Sequence, residues 1–293
     1  MKNVMVKEKK NKSGPESPEF WADYADNKCE CAGKRAFQGE IWDKAARDYD
    51  DLESSDTYMH QVETVLETLI KRGALKKEYS VFDIACGTGT YSIRMASHCK
   101  EVTALDVSGA MLGKLEEKKK SMGLSNIRII QADWDGYEAD RTFDLVFVSM
   151  TPLLRSMKNL DRMLDASSRF LAIVSWAGIK ENVMLKTLMK EIMGKETNHH
   201  RMDIVVPFNY LYAKGYAPDL IFFHGCWERK RPWERQAENL LWQLELRQRL
   251  TDKEKAYVKD RVRSLAVDGV VTAKTRVRIG FMLIDKEHNK VVC

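Results

Sequence analysis

The sequence predicts an α/β fold built on a mostly parallel, doubly wound sheet with helices on both faces. Three observations predict it. Short apolar runs rich in β-branched and aromatic residues recur between positions 79 and 176, separated by segments of helical periodicity. A glycine-containing turn carries the first run directly into a helix, from Val81 to Tyr91. The chain has 293 residues, 44% of them hydrophobic, which suits one large domain, or one domain with additions, and is enough to bury its core.

Residues 1–17 are polar, with Gly14, Pro15 and Pro18 close together, and read as a flexible lead. Aromatic and charged residues fill 18–53, where Gly39 to Asp51 has helical spacing. Residues 56–73 form a clearer amphipathic helix, with Val62, Val65, Leu66, Leu69 and Ile70 on one face and Gly73 as its stop. The period then changes. Tyr79 to Ala85 is the first strand, and Tyr91 to Cys99 the helix after it. Glu101 to Asp106 is the second strand, Ala110 to Met122 a helix, Ile127 to Asp133 the third strand, Phe143 to Ser149 the fourth and Arg169 to Trp176 the fifth. Strands alternating with helices at this spacing imply βαβ units with right-handed crossovers.

Beyond Trp176 the pattern loosens. Residues 180–200 are helical, rich in Met and Lys, and end in His199-His200; the methionines suit adaptable packing better than metal ligation. Asn209 to Lys214 reads as a short helix and Leu220 to His224 as a strand. Helices over about 233–249 and 252–266 follow, the second opened by a capping box from Thr251 to Glu254. Arg276 to Asp285, partly alternating, closes the chain as an edge-type strand. No internal repeat is visible.

Composition narrows the partners. Net charge is +5, but residues 1–12 hold five Lys and one Glu (+4), which leaves +1 for the rest. A nucleic-acid-binding domain shows its basic excess in the folded part, so nucleic acid is disfavoured. No apolar run reaches the ~18 residues of a membrane span. The N-terminus lacks the apolar region of a secretory signal, and the cytoplasm is the expected compartment. The six cysteines form no CxxC pair, so no metal site is expected and the thiols read as reduced.

The turn after the first strand carries the chemistry. Gly87 and Gly89 permit positive φ and let a ligand approach the backbone. The helix that follows offers unpaired N–H groups. A dinucleotide loop would read G-x-G-x-x-G, but Ser92 takes the last position, and Asp83 stands where an apolar residue is usual. There is no G-x-x-x-x-G-K-S/T loop for a nucleoside triphosphate. A carboxylate at the end of a buried strand needs partners, which an ammonium group or backbone N–H groups would supply.

Asp83-Ile84-Ala85-Cys86-Gly87-Thr88-Gly89 resembles motif I of class I S-adenosylmethionine (SAM)-dependent methyltransferases, especially the quinone-biosynthesis and small-molecule branch. Three more segments match in order: Leu105 to Leu112, Ile130 to Trp134, and Phe143 to Val146. Together they span about residues 79–176. The resemblance implies a Rossmann-like sheet of seven strands in the order 3-2-1-4-5-7-6, the last pair antiparallel, with SAM as cofactor. It implies that Ala85, Gly87 and Gly89 pass under the methionine part of SAM and that Asp83 anchors that end. Asp106, with Val107 beside it, would bind the ribose hydroxyls. Met111 would pack on adenine, Asp133 would receive its amino group and Trp134 would lie beside the ring. Ser149 and Met150 would face the transferred methyl. Ala85 replaces a glycine usual in the family.

Trp42 to Asp50 is similar to the helix that precedes the core in this branch and acts as a lid, with Tyr49 and Trp42 toward the cofactor. An ordinary amphipathic helix carrying Trp42, Ala45, Ala46 and Tyr49 is the alternative the spacing leaves open. The expected organisation is a tail (1–17), a helical lid (18–75), a SAM-binding core (76–178) and a C-terminal part (179–293) with cap insertions near 180–215 and 228–268. These additions are expected to choose the acceptor. Catalytic candidates are His199, His200 and Tyr49; for the histidines, a solvated helix end is the plainer reading. Trp227 to Trp233 mixes aromatic and basic residues and suits an anionic or planar substrate, or a loop before a helix. Ser149-Met150-Thr151-Pro152-Leu153 lacks the N/D-P-P-Y/F of nucleic-acid amino-methylating enzymes, which favours a small-molecule acceptor. An RNA- or protein-directed enzyme and a non-catalytic SAM-binding protein are the alternatives. Oligomeric state, monomer or homodimer, is not legible.

Overall fold

The computed structural model describes residues 14–29, 39–194 and 203–288. Its centre is one seven-stranded sheet in the order β3-β2-β1-β4-β5-β7-β6. The strands are β1 (Ser80–Ile84), β2 (Glu101–Asp106), β3 (Ile127–Gln131), β4 (Phe143–Ser149), β5 (Ser167–Asn182), β6 (Asp219–Pro232) and β7 (Val270–Asp285). The first five are parallel, and β7 runs antiparallel to both β5 and β6. All of β1 is buried, as expected of a strand covered on both faces.

The helices are α1 (Pro18–Cys29), α2 (Gly39–Tyr49), α3 (Asp56–Lys71), α4 (Thr90–Ala96), α5 (Gly109–Ser121), α6 (Met157–Ala166), α7 (Val183–Met193), α8 (Val205–Ala213), α9 (Trp233–Glu245) and α10 (Asp252–Arg263). One core cluster gathers α3, α4 and α5 residues on one sheet face, including Val65, Leu69, Tyr91, Leu115 and Phe147. A second, with Phe82, Val148, Leu160 and Met163, joins α1, α6 and α8 on the other. A third packs Leu185 and Leu188 of α7 against Leu240 and Leu244 of α9 and Val258 of α10. Among the described residues, no helix is long and apolar enough to cross a membrane.

Several sequence expectations need correction. Strand β7 lies inside the sheet, and β6 forms the edge. Only the first half of β7 alternates between exposed and buried; from Ile279 to Ile284 it is buried throughout. The first half extends past the core sheet, and the expected edge strand, Arg276 to Asp285, took its alternation from the end of that half. The Trp227–Pro232 stretch is not a loop but the end of β6, paired down to Pro232↔Val270. Strand β5 likewise continues to Asn182, with a register shift after Trp176. Ile70 was expected on the buried face of α3 but is 42% exposed; Gln61 is buried there instead and accepts a hydrogen bond from Trp227 Nε1 at 3.1 Å. The capping box at Thr251 is formed.

Candidate functional site

The carboxyl ends of the parallel strands converge on one cleft of about 640 Å³, open to solvent on one side. From the first three strands and their turns, Ala85, Gly87, Asp106, Val107, Met111, Asp133 and Trp134 line it. Trp42 and Tyr49 come from the preceding helix α2, and Ser149 to Leu153 from the end of β4. Leu105, Ala132 and Thr151 to Leu153 lie within segments noted in the sequence but were given no site role there. Leu105 is one apolar residue within buried β2 and Ala132 a small residue just after β3, and neither carries a signal of its own. Thr151 does: its hydroxyl accepts the Leu153 N–H and opens a turn at Pro152.

The turn after β1 is built around Asp106. Its carboxylate accepts the Gly87 N–H at 2.8 Å and the Ser108 N–H at 2.9 Å, tying the tip of β2 to the loop. Burial raises the Asp106 pKa, and backbone N–H groups of Ser108, Gly87 and Val107 oppose that rise. Gly87 has φ +56°, and a Cβ there would meet only the Tyr49 ring at 3.7 Å. Gly89 differs. It also has positive φ, but its missing Cβ would lie 2.2 Å from Leu115 Cδ1, away from the cleft. Gly89 therefore serves the seating of α4 on α5. Ala85 sits at φ +56° and Met150 at φ +53°, so two non-glycine residues in the left-handed region border the cleft. Such strain gathers at functional sites.

Asp83 does not reach the cleft. It is 2% exposed beneath the loop, and its Oδ2 accepts the Ser92 hydroxyl. Burial pushes its pKa up to about 7, the Ser92 hydrogen bonds oppose this, and the Asp106 charge adds to it. Its contact with the site runs through the loop and α4. His199 and His200 fall outside the described residues.

Helix α2 closes one side. Asp43 accepts from Ser108 Oγ at 2.6 Å and from the Ala110 N–H at 3.1 Å, fastening α2 to the start of α5. Ala45 and Ala46 pack on Met111, with Trp42, Tyr49 and Trp242 around them. Trp42 meets Trp242 of α9 edge to face at 5.6 Å, and Trp242 Nε1 donates to the Ile41 carbonyl at 2.8 Å. The short 3₁₀ turn Asp50–Ser54 that follows α2 is bound by ion pairs. Asp50 and Glu53 meet Lys118 at 2.7 and 2.9 Å, and Asp51 meets buried Arg231 at 3.0 Å. Burial raises the Tyr49 phenol to about 12; Asp106 adds to the rise and Arg229 opposes it. Tyr49 thus keeps its proton at neutral pH and is not a base there.

Comparison with known proteins agrees with this architecture. A family model described as a methyltransferase domain matches residues 81–173. The chain is 25% identical over 182 residues to a demethylmenaquinone methyltransferase of Geobacillus sp., covering 60% of this chain and 74% of that one. It is 34% identical over 83 residues to an uncharacterised RNA methyltransferase of Chlorobaculum tepidum, covering 28% of this chain but 17% of that one. A crystal structure of a Galdieria sulphuraria protein proposed as a sarcosine dimethylglycine methyltransferase superposes with a TM-score of 0.50 at 15% identity. The superposition covers 83% of this chain and 98% of that one, a likeness of fold. Residues 81–173 thus match a methyltransferase domain, and the sheet order is that of the Rossmann-like class I fold.

Proposed function

We infer that this protein transfers the methyl group of SAM, by in-line displacement, to a small-molecule acceptor. The observation that carries the reading is the single cleft running from the Asp106 carboxylate and the Gly87 turn, under Tyr49, to Ser149–Leu153. Its residues suit SAM. Gly87 leaves the loop backbone approachable, and Trp134 Nε1 is a buried donor on the cleft wall with no protein partner. Bound SAM supplies a methyl group made electrophilic by the adjacent sulfonium charge.

The chain's own residues do the rest. Each Asp106 oxygen accepts a backbone N–H and retains acceptor capacity for ribose hydroxyls. Met111 and Trp134 hold adenine between apolar surfaces, with Asp133 at its polar edge. Val107 borders the ribose. Trp42 and Tyr49 cover the cofactor and exclude water, which strengthens the site's electrostatics. Ser149 and Met150 border the methyl, and positioning supplies much of the rate.

A small-molecule acceptor is supported by the roofed cleft and by the near-neutral charge beyond the N-terminal tail. The demethylmenaquinone enzyme matches over far more of both chains than the RNA enzyme does. The cytoplasm is the matching compartment. Calorimetry with SAM and NAD(H) tests the cofactor: we expect SAM to bind and NAD(H) not to. Gly87→Arg, which drives a long cation into the cleft, should abolish that binding, and unchanged affinity would refute the assignment. A methyl-transfer screen against a metabolite extract and against RNA decides the acceptor class, with label expected in the small-molecule fraction.

A further inference from the structure

Helix α2 passes into the 3₁₀ turn Asp50–Ser54 without a break, because Tyr49 itself keeps helical angles, φ −70° and ψ −40°. A shift of the turn is therefore passed back to Tyr49. The Tyr49 ring lines the cleft and stands 3.7 Å from where a Cβ on Gly87 would be.

Two sides hold this turn. Residues three apart share a face in a 3₁₀ turn, and Asp50 and Glu53 both meet Lys118 of α5, at 2.7 and 2.9 Å. Glu53 also accepts the hydroxyl of Thr90, the first residue of α4, at 2.7 Å. Asp51 lies on a different face and reaches the end of β6. Its Oδ2 is 3.0 Å from Arg231 Nε and 3.3 Å from Arg235 Nη2. The two cations differ. Arg235 is 38% exposed, where an ion pair contributes little. The Arg231 side chain is 2% exposed, and its backbone is paired with Val271 in the β6–β7 ladder. A buried guanidinium loses much if its carboxylate leaves, so Arg231 is the firm anchor.

Resting on the methyl-transfer reading above, we propose that Arg231 is a positioning residue for the cofactor: it holds Asp51, and through the helical backbone back to Tyr49 it keeps that ring over bound SAM. Lys118 grips one face of the turn and leaves rotation about that contact. Arg231, on another face, removes the rotation. Arg231 does not line the cleft, and β6 is the sheet edge farthest from β3. The residence time of the cofactor is thus set in part by a strand outside the parallel core.

The test uses the full chain and reads the dissociation of S-adenosylhomocysteine by stopped-flow tryptophan fluorescence, since Trp42 and Trp134 line the cleft. Arg231→Met fills the space without burying a charge, and should speed dissociation about tenfold. Arg231→Lys keeps the charge on a shorter reach and should speed it about threefold. In a Tyr49→Ala background, which already releases the ligand faster, Arg231→Met should add nothing. A merely structural Arg231 would not show that dependence on Tyr49. An unchanged rate in Arg231→Met, with or without a lower melting temperature, would overturn the role. So would an equal acceleration with and without Tyr49. Should Arg231→Met not fold, Arg231→Lys decides, and the unaltered rate in that variant would overturn the role. Failure of SAM and S-adenosylhomocysteine to bind the unaltered chain would instead sink the methyl-transfer reading.

Discussion

Two residues of the turn after β1 show how alike in sequence and unlike in role neighbours can be. Gly89 is held by sterics: φ is +78°, and Leu115 Cδ1 occupies the place of a Cβ. Gly89→Ala combines a left-handed alanine with overpacking, so urea unfolding should show a loss of about 2–4 kcal/mol. Ala85 already carries the left-handed cost, at φ +56°. Ala85→Gly should therefore gain up to about 1 kcal/mol in the same assay, offset in part by backbone entropy. Asp83 gives a pH signature. Its folded pKa, about 7, lies above the ordinary carboxylate value, so the folded state binds more protons between those two pH values. Its contribution is full below about pH 4 and is lost as pH rises through about 7. The urea midpoint of the unaltered protein, measured against Asp83→Asn, should fall across that interval and level off above it. In the sequence Asp83, Gly87 and Gly89 looked like one motif. Which of them faces the cleft depends on how α4 and α5 cross, and no local spacing encodes that.

At the scale of elements, α2 is the piece whose position matters most, since Trp42 and Tyr49 reach the cleft from it. It holds through contacts remote in sequence: Asp43 to Ser108, Trp42 to Trp242, and the Ile41 carbonyl to Trp242. The edge-to-face pair and the indole hydrogen bond each contribute about 0.5–1.5 kcal/mol. Trp242→Ala should then weaken α2 docking by roughly 1–3 kcal/mol. Hydrogen exchange should rise in 39–49 and stay unchanged in β1, β2 and β4, and SAM affinity should fall about tenfold or more. Unaltered exchange in α2 would show that Asp43 alone fastens it. The spacing of Trp42, Ala45, Ala46 and Tyr49 was legible as one helical face, because a 3.6-residue period is local information. Its neighbour was not, because Trp242 lies some two hundred positions away and nothing in either helix names the other.

For the whole molecule, the parallel half of the sheet was legible because each strand and helix leaves its own periodic trace. The β6–β7 half was less so. Its strands are long and extend past the core, and one face of the extension is exposed, so apolar runs give way to alternation. The sequence assigned acceptor choice to the additions, about 228–268 among them, and cofactor binding to the core. Pro232 pairs with Val270, so α9 and α10 sit as an insertion at the tip of the β6–β7 hairpin. Replacing 233–269 with a short Asn-Gly turn is therefore compatible with the ladder. The replacement would uncover Leu185, Leu188 and Met189 of α7, which pack on α9 and α10, so these need polar substitutes in the shortened chain. It would also remove Trp242, and with it two of the three contacts that fasten α2. We therefore expect the shortened protein to keep its sheet by circular dichroism and to bind SAM about tenfold or more weakly, in step with Trp242→Ala. Full SAM affinity in the shortened chain would mean that α2 closes on the cleft without help from the insertion, and that acceptor choice and cofactor binding are separable after all.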